Sequence, residues 1–189
     1  MEWFGVPMIK NPFDQQMYQE ILWKTRPTLV IETGTFLGGS ALWFAHMFDL
    51  IGNGEVISVD INQDVQLPSH PRITYYQGVS STDPTLVKQL AERAFGKRVM
   101  VVLDSDHTRD HVYKELQLYH KFVSQGCYLI VEDTNPHAYL ASPDAVGPNG
   151  HAADAVKDWQ PKNHGFEVDK TQERLGFTYN PGGYLKRIR

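Results

Sequence analysis

The chain predicts an α/β fold, a mostly parallel sheet with helices on both faces that closes in an antiparallel hairpin, and three observations carry it. Short apolar runs alternate with helix-patterned segments along most of the chain. Several of those runs end in an acid or a glycine-bearing turn, and the final stretch carries "NPGG" between two β-like runs.

At 189 residues the chain has the length of one domain, taken as 1–189. In an N-terminal segment over 1–27, "NPFDQQMYQEILWK" predicts a helix. Asn11 stands as N-cap, Pro12 in the first turn and Asp14 as a capping-box acid. Phe13, Met17, Ile21 and Leu22 recur at helical spacing, and Pro27 ends the segment. "TLVIE" follows as a buried strand, "TGTFLGG" as a turn, and "SALWFAHMFDLI" as a helix stopped by "GNG". "EVISVD" and "ITYYQG" read as the second and third strands, "PTLVKQLAERAF" as a helix, and "RVMVVLD" as the fourth strand. "TRDHVYKELQLYHKFV" is a helix with Val112, Leu116 and Tyr119 on one side, and "GCYLIVED" is the fifth strand. From 134 to 150 the pattern gives way to Pro, Gly, Asn and Ser, a length of loop that usually serves function and is read here as substrate-shaping. "HAADAVKDWQ" predicts one more helix, and "FEVDK" and "LGFTYNPGGYLKRI" end the chain, the latter as a hairpin.

The composition narrows function. Hydrophobic residues make up 41% and charged residues 21%, and no apolar run nears the ~18 residues of a membrane span. The opening "MEWFGVPMIKNP" lacks the basic and apolar regions of a secretory signal, so a soluble, cytoplasmic protein with no membrane partner is expected. A net charge of −4 gives no general attraction for a polyanion, so nucleic acid is not an expected partner. The lone Cys127 sits in "CYLIV" as core filling.

In open parallel sheets, ligands bind beyond the carboxyl ends of the strands. Here Glu32 ends the first strand, and Gly34 and Gly38 would let backbone approach a ligand, with Ser40 opening the next helix. The spacing departs from the dinucleotide fingerprint G-x-G-x-x-G. An acid at Glu32 repels phosphate and suits a cationic group. Asp60, closing the second strand, is placed for the two hydroxyls of a ribose, and Ser80 after the third strand for an adenine edge. Singly, each residue reads as readily as a solvated strand end or a tight turn. Together they point to a nucleoside carrying an ammonium or sulfonium and no phosphate, S-adenosylmethionine.

Asp104 ends the fourth strand, and Glu132 and Asp133 the fifth. Neighbouring strands lie ~4.8 Å apart, so these carboxylates can converge on one point. Uncompensated, they would repel; a hard divalent cation, Mg²⁺ or alternatively Mn²⁺ or Ca²⁺, resolves that. Such an ion would acidify and orient a substrate hydroxyl. His107, three residues past Asp104, reads as the base that takes its proton, or alternatively as a helix cap or cofactor contact. Asp106 is open between orienting His107, binding substrate and serving as a solvated first-turn acid.

The stretches "WFGVPMIKNPFDQQMYQEILWKTRP", "VIETGTFLGGSALWFA", "VISVDI", "VLDSDHTRDHVYKEL", "YLIVEDTN" and "FTYNPGGYLKRI" together resemble the cephalosporin hydroxylase family, which includes rhamnosyl O-methyltransferases. The resemblance covers nearly the whole chain. It implies a Rossmann-like class I methyltransferase fold, a seven-stranded sheet similar in layout to catechol O-methyltransferase, with S-adenosylmethionine and a magnesium-type ion. Carried over by motif, it implies Glu32, Gly34, Thr35, Phe36, Gly38, Ser40, Asp60 and Ser80 as cofactor residues, with Asp104 beside them. It implies Asp104, Glu132 and Asp133 as metal ligands and Asp104 and His107 as the catalytic pair, His107 standing where the catechol enzymes carry a lysine. The expected activity is O-methylation of a small-molecule hydroxyl, on a sugar or natural-product scaffold. The alternatives are a small-molecule hydroxylase and a catalytically silent cofactor-binding partner subunit. The apolar start "MEWFGVPMI" is a candidate surface for a homo-oligomer.

Overall fold

The computed structural model describes residues 1–135 and 148–189. Its centre is a seven-stranded sheet in the order β5-β4-β3-β6-β7-β9-β8. β3 (Leu29–Thr33), β4 (Glu55–Asp60), β5 (Ile73–Gln77), β6 (Val99–Leu103) and β7 (Tyr128–Val131) run parallel, while β9 (Tyr184–Arg187) and β8 (Phe166–Val168) complete the sheet antiparallel. β3 and β6 are buried along their whole length, as strands covered on both faces must be.

Strand alternation sends successive side chains to opposite faces, and two cores result. On one, Val30, Met100, Val102 and Ile130 meet Met17, Tyr18 and Ile21 of α1 (Pro12–Thr25) and Phe44 and Phe48 of α2 (Gly39–Ile51). On the other, Ile31, Val101, Leu103 and Leu129 meet Leu86 and Leu90 of α3 (Pro84–Ala94), Leu116 and Tyr119 of α4 (Arg109–Tyr119) and Trp159 of α5 (Ala152–Trp159). The helix starts follow from local chemistry. Asn11 accepts from the Phe13 N–H at 3.1 Å, Asp83 accepts from Thr85 and Leu86, and His151 forms a capping box with Asp154.

Three expectations are corrected. Residues 1–7 form a small hairpin of β1 (Glu2–Trp3) and β2 (Val6–Pro7) ahead of the helix, turning through Phe4 and Gly5 at positive φ. Asp14 closes no capping box. It is buried and accepts from Thr178 Oγ1, from the Tyr179 N–H at 2.9 Å and from Tyr184 OH at 2.8 Å. For the same reason "GFTY" is not a strand: its backbone is claimed by Asp14 and by Asn135, whose N–H donates to the Tyr179 carbonyl. The partner of β9 is instead β8, reached through a short 3₁₀ turn at Lys170–Glu173.

Candidate active site

Chain order reverses between β3 and β6, which places a crevice outside the carboxyl ends of the parallel strands. The residues singled out from the sequence gather there because the strands are in register. Thr33 pairs with Leu103 and Leu103 with Val131, so Gly34, Asp104 and Glu132 leave the sheet side by side.

The turn after β3 packs closely on the end of β6. Gly34 has φ +84°, and a side-chain carbon there would overlap the Asp104 carbonyl. Glu32 is fully buried. Its Oε2 accepts from Ser58 Oγ at 2.7 Å, Ser58 in turn lies 2.7 Å from Thr35 Oγ1, and among the described residues its Oε1 has no hydrogen-bond partner. Burial pushes the Glu32 carboxyl up, against the pull of the Lys10 ammonium and of the Ser40 and Ser58 hydroxyls. A buried acceptor without a donor is costly, and a cationic group of a ligand would satisfy it. The Phe36 N–H, at a left-handed φ of 51°, donates to Asp60 Oδ2 at 2.9 Å, and Asn62 donates to the other oxygen. Asp60 thus closes the glycine turn across from β3. Gly38 precedes α2 at φ +82°, and Ser40 is buried in its first turn. Ser80 lies farther along, its Oγ 3.1 Å from Thr82 Oγ1 in the loop after β5.

At the ends of β6 and β7 the structure gathers Asp104, His107 and Asp133, which offer ligand atoms all within 4.8 Å of one another. His107 Nε2 lies 3.4 Å from Asp133 Oδ2 and 3.9 Å from Asp104 Oδ1. Asp133 holds a left-handed φ of 53°, fixed by donation of its N–H to Asn180 Oδ1 at 3.0 Å. Strain of that kind persists where the surroundings over-determine it. Asp106 accepts from the Thr108 N–H at 2.8 Å, an Asx turn ahead of the N-cap of α4, and the acid in the first turn of that helix is Asp110.

Glu132 faces another way. Its Oε1 accepts from Lys10 Nζ at 2.5 Å and from Tyr18 OH at 2.8 Å, and Lys10 also donates to Asp104 Oδ2. The three carboxylates are therefore not uncompensated, as the sequence suggested; the chain provides a cation of its own. Burial pushes Glu132 up to about 7, with Asp104 adding to the shift and Lys10 opposing it. Asp104 and Asp133 are also raised by burial, with Lys10 and His107 pulling the first down and His107 the second. Lys10 itself is held well above its ordinary value, since the carboxylates outweigh the burial that would lower it.

Sequence reasoning missed Lys10, Tyr18 and Asn180. Lys10 precedes an N-cap in "MIKNPF", where a lysine reads as exposed, yet in the fold it is buried against Asp104 and Glu132. The proposed substrate loop lies mostly outside the described residues.

Residues 1–188 match the family described as Rhamnosyl O-methyltransferase/CmcI. The chain belongs to that family. A rhamnosyl O-methyltransferase of Mycobacterium tuberculosis (strain ATCC 25618 / H37Rv) is 33% identical over 192 residues, covering 98% of this chain and 77% of that protein. Its counterpart in Mycobacterium leprae (strain TN) is also 33% identical, over 98% of this chain and 82% of the relative. A solved CmcI structure with Mg and SAM superposes with a TM-score of 0.74 at 23% identity, covering 100% of this chain and 77% of that one. The MycE methyltransferase from the mycinamycin biosynthetic pathway, in complex with Mg and SAH, superposes at 0.62 with 17% identity, over 94% and 49% of the two chains. At those identities the solved structures establish that this member of the family has the methyltransferase fold. Among the described residues no helix is long and apolar enough to cross a membrane.

Proposed function

We propose that the protein is an S-adenosylmethionine-dependent, divalent-ion-assisted O-methyltransferase whose acceptor is a hydroxyl of a sugar, of the kind a rhamnosyl group presents. The observation that carries the reading is one crevice holding two neighbouring halves. One is a glycine turn over a buried acid with an unpartnered oxygen; the other is Asp104, His107 and Asp133 within ligand distance of one another. Family membership supports it, as do relatives named for transfer to rhamnose.

The residues fit both groups. Glu32 Oε1 would bind the cofactor's ammonium, the backbone at Gly34 to Gly38 would lie against it, and Asp60 would take its ribose. Asp104 and Asp133 offer hard oxygen donors for an ion of the magnesium class, and the carboxylate of Glu132 borders them. When bound, the cofactor supplies an electrophilic methyl group and the ion supplies positive charge that acidifies a hydroxyl. What the chain does is hold the hydroxyl in line and remove its proton. His107 Nε2 is the acceptor of that proton, and Asp133, 3.4 Å away, stabilises the imidazolium that results. Among the described residues the set holds one histidine and two carboxylates, unlike the two-histidine, one-carboxylate set of non-haem iron oxygenases, which weighs against a hydroxylase.

The test is transfer of labelled methyl from S-adenosylmethionine to rhamnosyl glycosides with Mg²⁺ under anaerobic conditions. Labelled methyl ether, lost on chelation, is the expected result. Product that requires oxygen, or cofactor binding with no transfer to any glycoside, would overturn it.

A further inference from the structure

Lys10 stands behind the carboxylates, and the oxygens it grips are specific. Nζ donates to Oδ2 of Asp104 and Oε1 of Glu132, and the side chain is only 4% exposed. Tyr18 OH donates to that same Oε1. The opposite oxygen of Asp104, Oδ1, is the one that faces His107. Among the described residues no hydrogen bond reaches Asp104 Oδ1 or Glu132 Oε2. The frame continues: Asn180 Nδ2 donates to Tyr18 OH at 3.0 Å while Asn180 Oδ1 holds the Asp133 N–H. One connected hydrogen-bond network through Lys10, Tyr18 and Asn180 therefore joins the carboxylates of Asp104 and Glu132 to the backbone of Asp133.

We propose that Lys10 is a positioning residue for the divalent ion: anchored on Glu132, it holds one oxygen of Asp104 so that the other is presented to the ion beside Asp133, and it stays in place when the ion binds. The inference rests on the ion site of the proposed function. The physical case is geometric. A carboxylate has two oxygens, and an ammonium that takes one leaves the other as a monodentate donor of fixed direction. Outer partners that fix ligand orientation typically contribute 10–100-fold to metal affinity. An ammonium that merely filled an empty ion site would lie among Asp104 Oδ1, Asp133 and His107; Lys10 instead engages Oδ2 and a glutamate outside that set.

Mn²⁺ binding to the full chain, followed by the electron paramagnetic resonance signal of free and bound ion, tests this. The unchanged protein is expected to bind Mn²⁺, and Lys10→Met to bind it roughly 10–100-fold more weakly with an altered bound-ion spectrum. Lys10→Arg, which keeps the charge on a wider planar fork, falls between the two. A merely structural role would lower the melting temperature and leave the bound-ion spectrum as it was, and that result overturns the proposal. So does Mn²⁺ binding to Lys10→Met that is equal or tighter, because it makes Lys10 a competitor for the same oxygens. Should Lys10→Met fail to fold, Lys10→Arg and Tyr18→Phe decide: weaker binding in both supports the frame, and unchanged binding in both refutes it. Absence of Mn²⁺ binding in the unchanged protein refutes the ion site itself, which is a separate failure.

Discussion

Replacing Gly34 by alanine should damage fold and site together, and the size of the effect can be built from parts. Its φ of +84° lies in the left-handed region, where a side chain costs roughly 1–2 kcal/mol. The added carbon would overlap the Asp104 carbonyl oxygen and lie 2.5 Å from its carbon and 3.0 Å from Ser105 Cα. Backbone cannot rotate away as a side-chain end can, so overpacking adds about 1–3 kcal/mol. Alanine stiffens the unfolded chain, which offsets about 0.4–1 kcal/mol. The net expectation is a loss of about 1–5 kcal/mol in urea unfolding, the balance of those terms. Gly52→Ala is the matched control: its φ is +86° with nothing within 4 Å, so it carries the backbone cost alone. The difference between the two variants therefore isolates the contact with Asp104. Because relief of that contact moves the end of β6, Mn²⁺ affinity should fall in Gly34→Ala and hold in Gly52→Ala. Equal destabilisation of the two, or a destabilised Gly34→Ala that binds Mn²⁺ normally, would refute the coupling of turn to carboxylate.

The other expectations concern single side chains. Glu32→Gln should weaken S-adenosylmethionine binding by roughly 10–100-fold in calorimetry, the worth of a charge-assisted hydrogen bond. A change below about threefold on that scale would show that the unpartnered oxygen is not what holds the ammonium. His107→Gln should lower kcat by roughly 100-fold or more with cofactor binding unaltered; unchanged turnover removes His107 from the proton's path. Glu132 sets a pH dependence of the metal-free protein. Its folded carboxyl is raised from 4.5 to about 7, so the folded state binds more protons in that window and stability falls as pH rises through it. Asp104 and Asp133 are raised too and act in the same sense. Glu132→Gln should flatten part of that slope in unfolding measured from pH 4 to 8, and a slope identical to that of the unchanged protein would contradict the assignment.

Much of the architecture was legible because it rests on local rules. The buried runs "VMVVL" and "YLIV" have one side chain for each face, and both are strands within a residue or two of their expected limits. The acids at strand ends were legible as a group, since parallel strands in register must deliver their ends to one edge. Which way each carboxylate turns was not. Glu132 and Asp133 are neighbours in sequence, yet one points to Lys10 and Tyr18 and the other to His107, a difference set by the left-handed backbone at Asp133. The hairpin was misassigned for a related reason. "GFTY" has the composition of a strand, but its hydrogen bonds go to Asp14 and Asn135, partners distant in sequence that no pattern announces.

Asp14 meets Thr178 and Tyr184 across 164 and 170 positions of sequence. During synthesis, the residues that frame the carboxylates from α1 are therefore made at the beginning and wait for their partners until nearly all the chain has emerged. A nascent chain can build the central parallel strands early, as N-terminal portions generally fold first, yet its crevice stays unassembled. Competence thus arrives as a late event, timed by the appearance of Thr178 to Tyr184, and a ribosome-stalled chain ending before Thr178 should carry a sheet and no ion affinity.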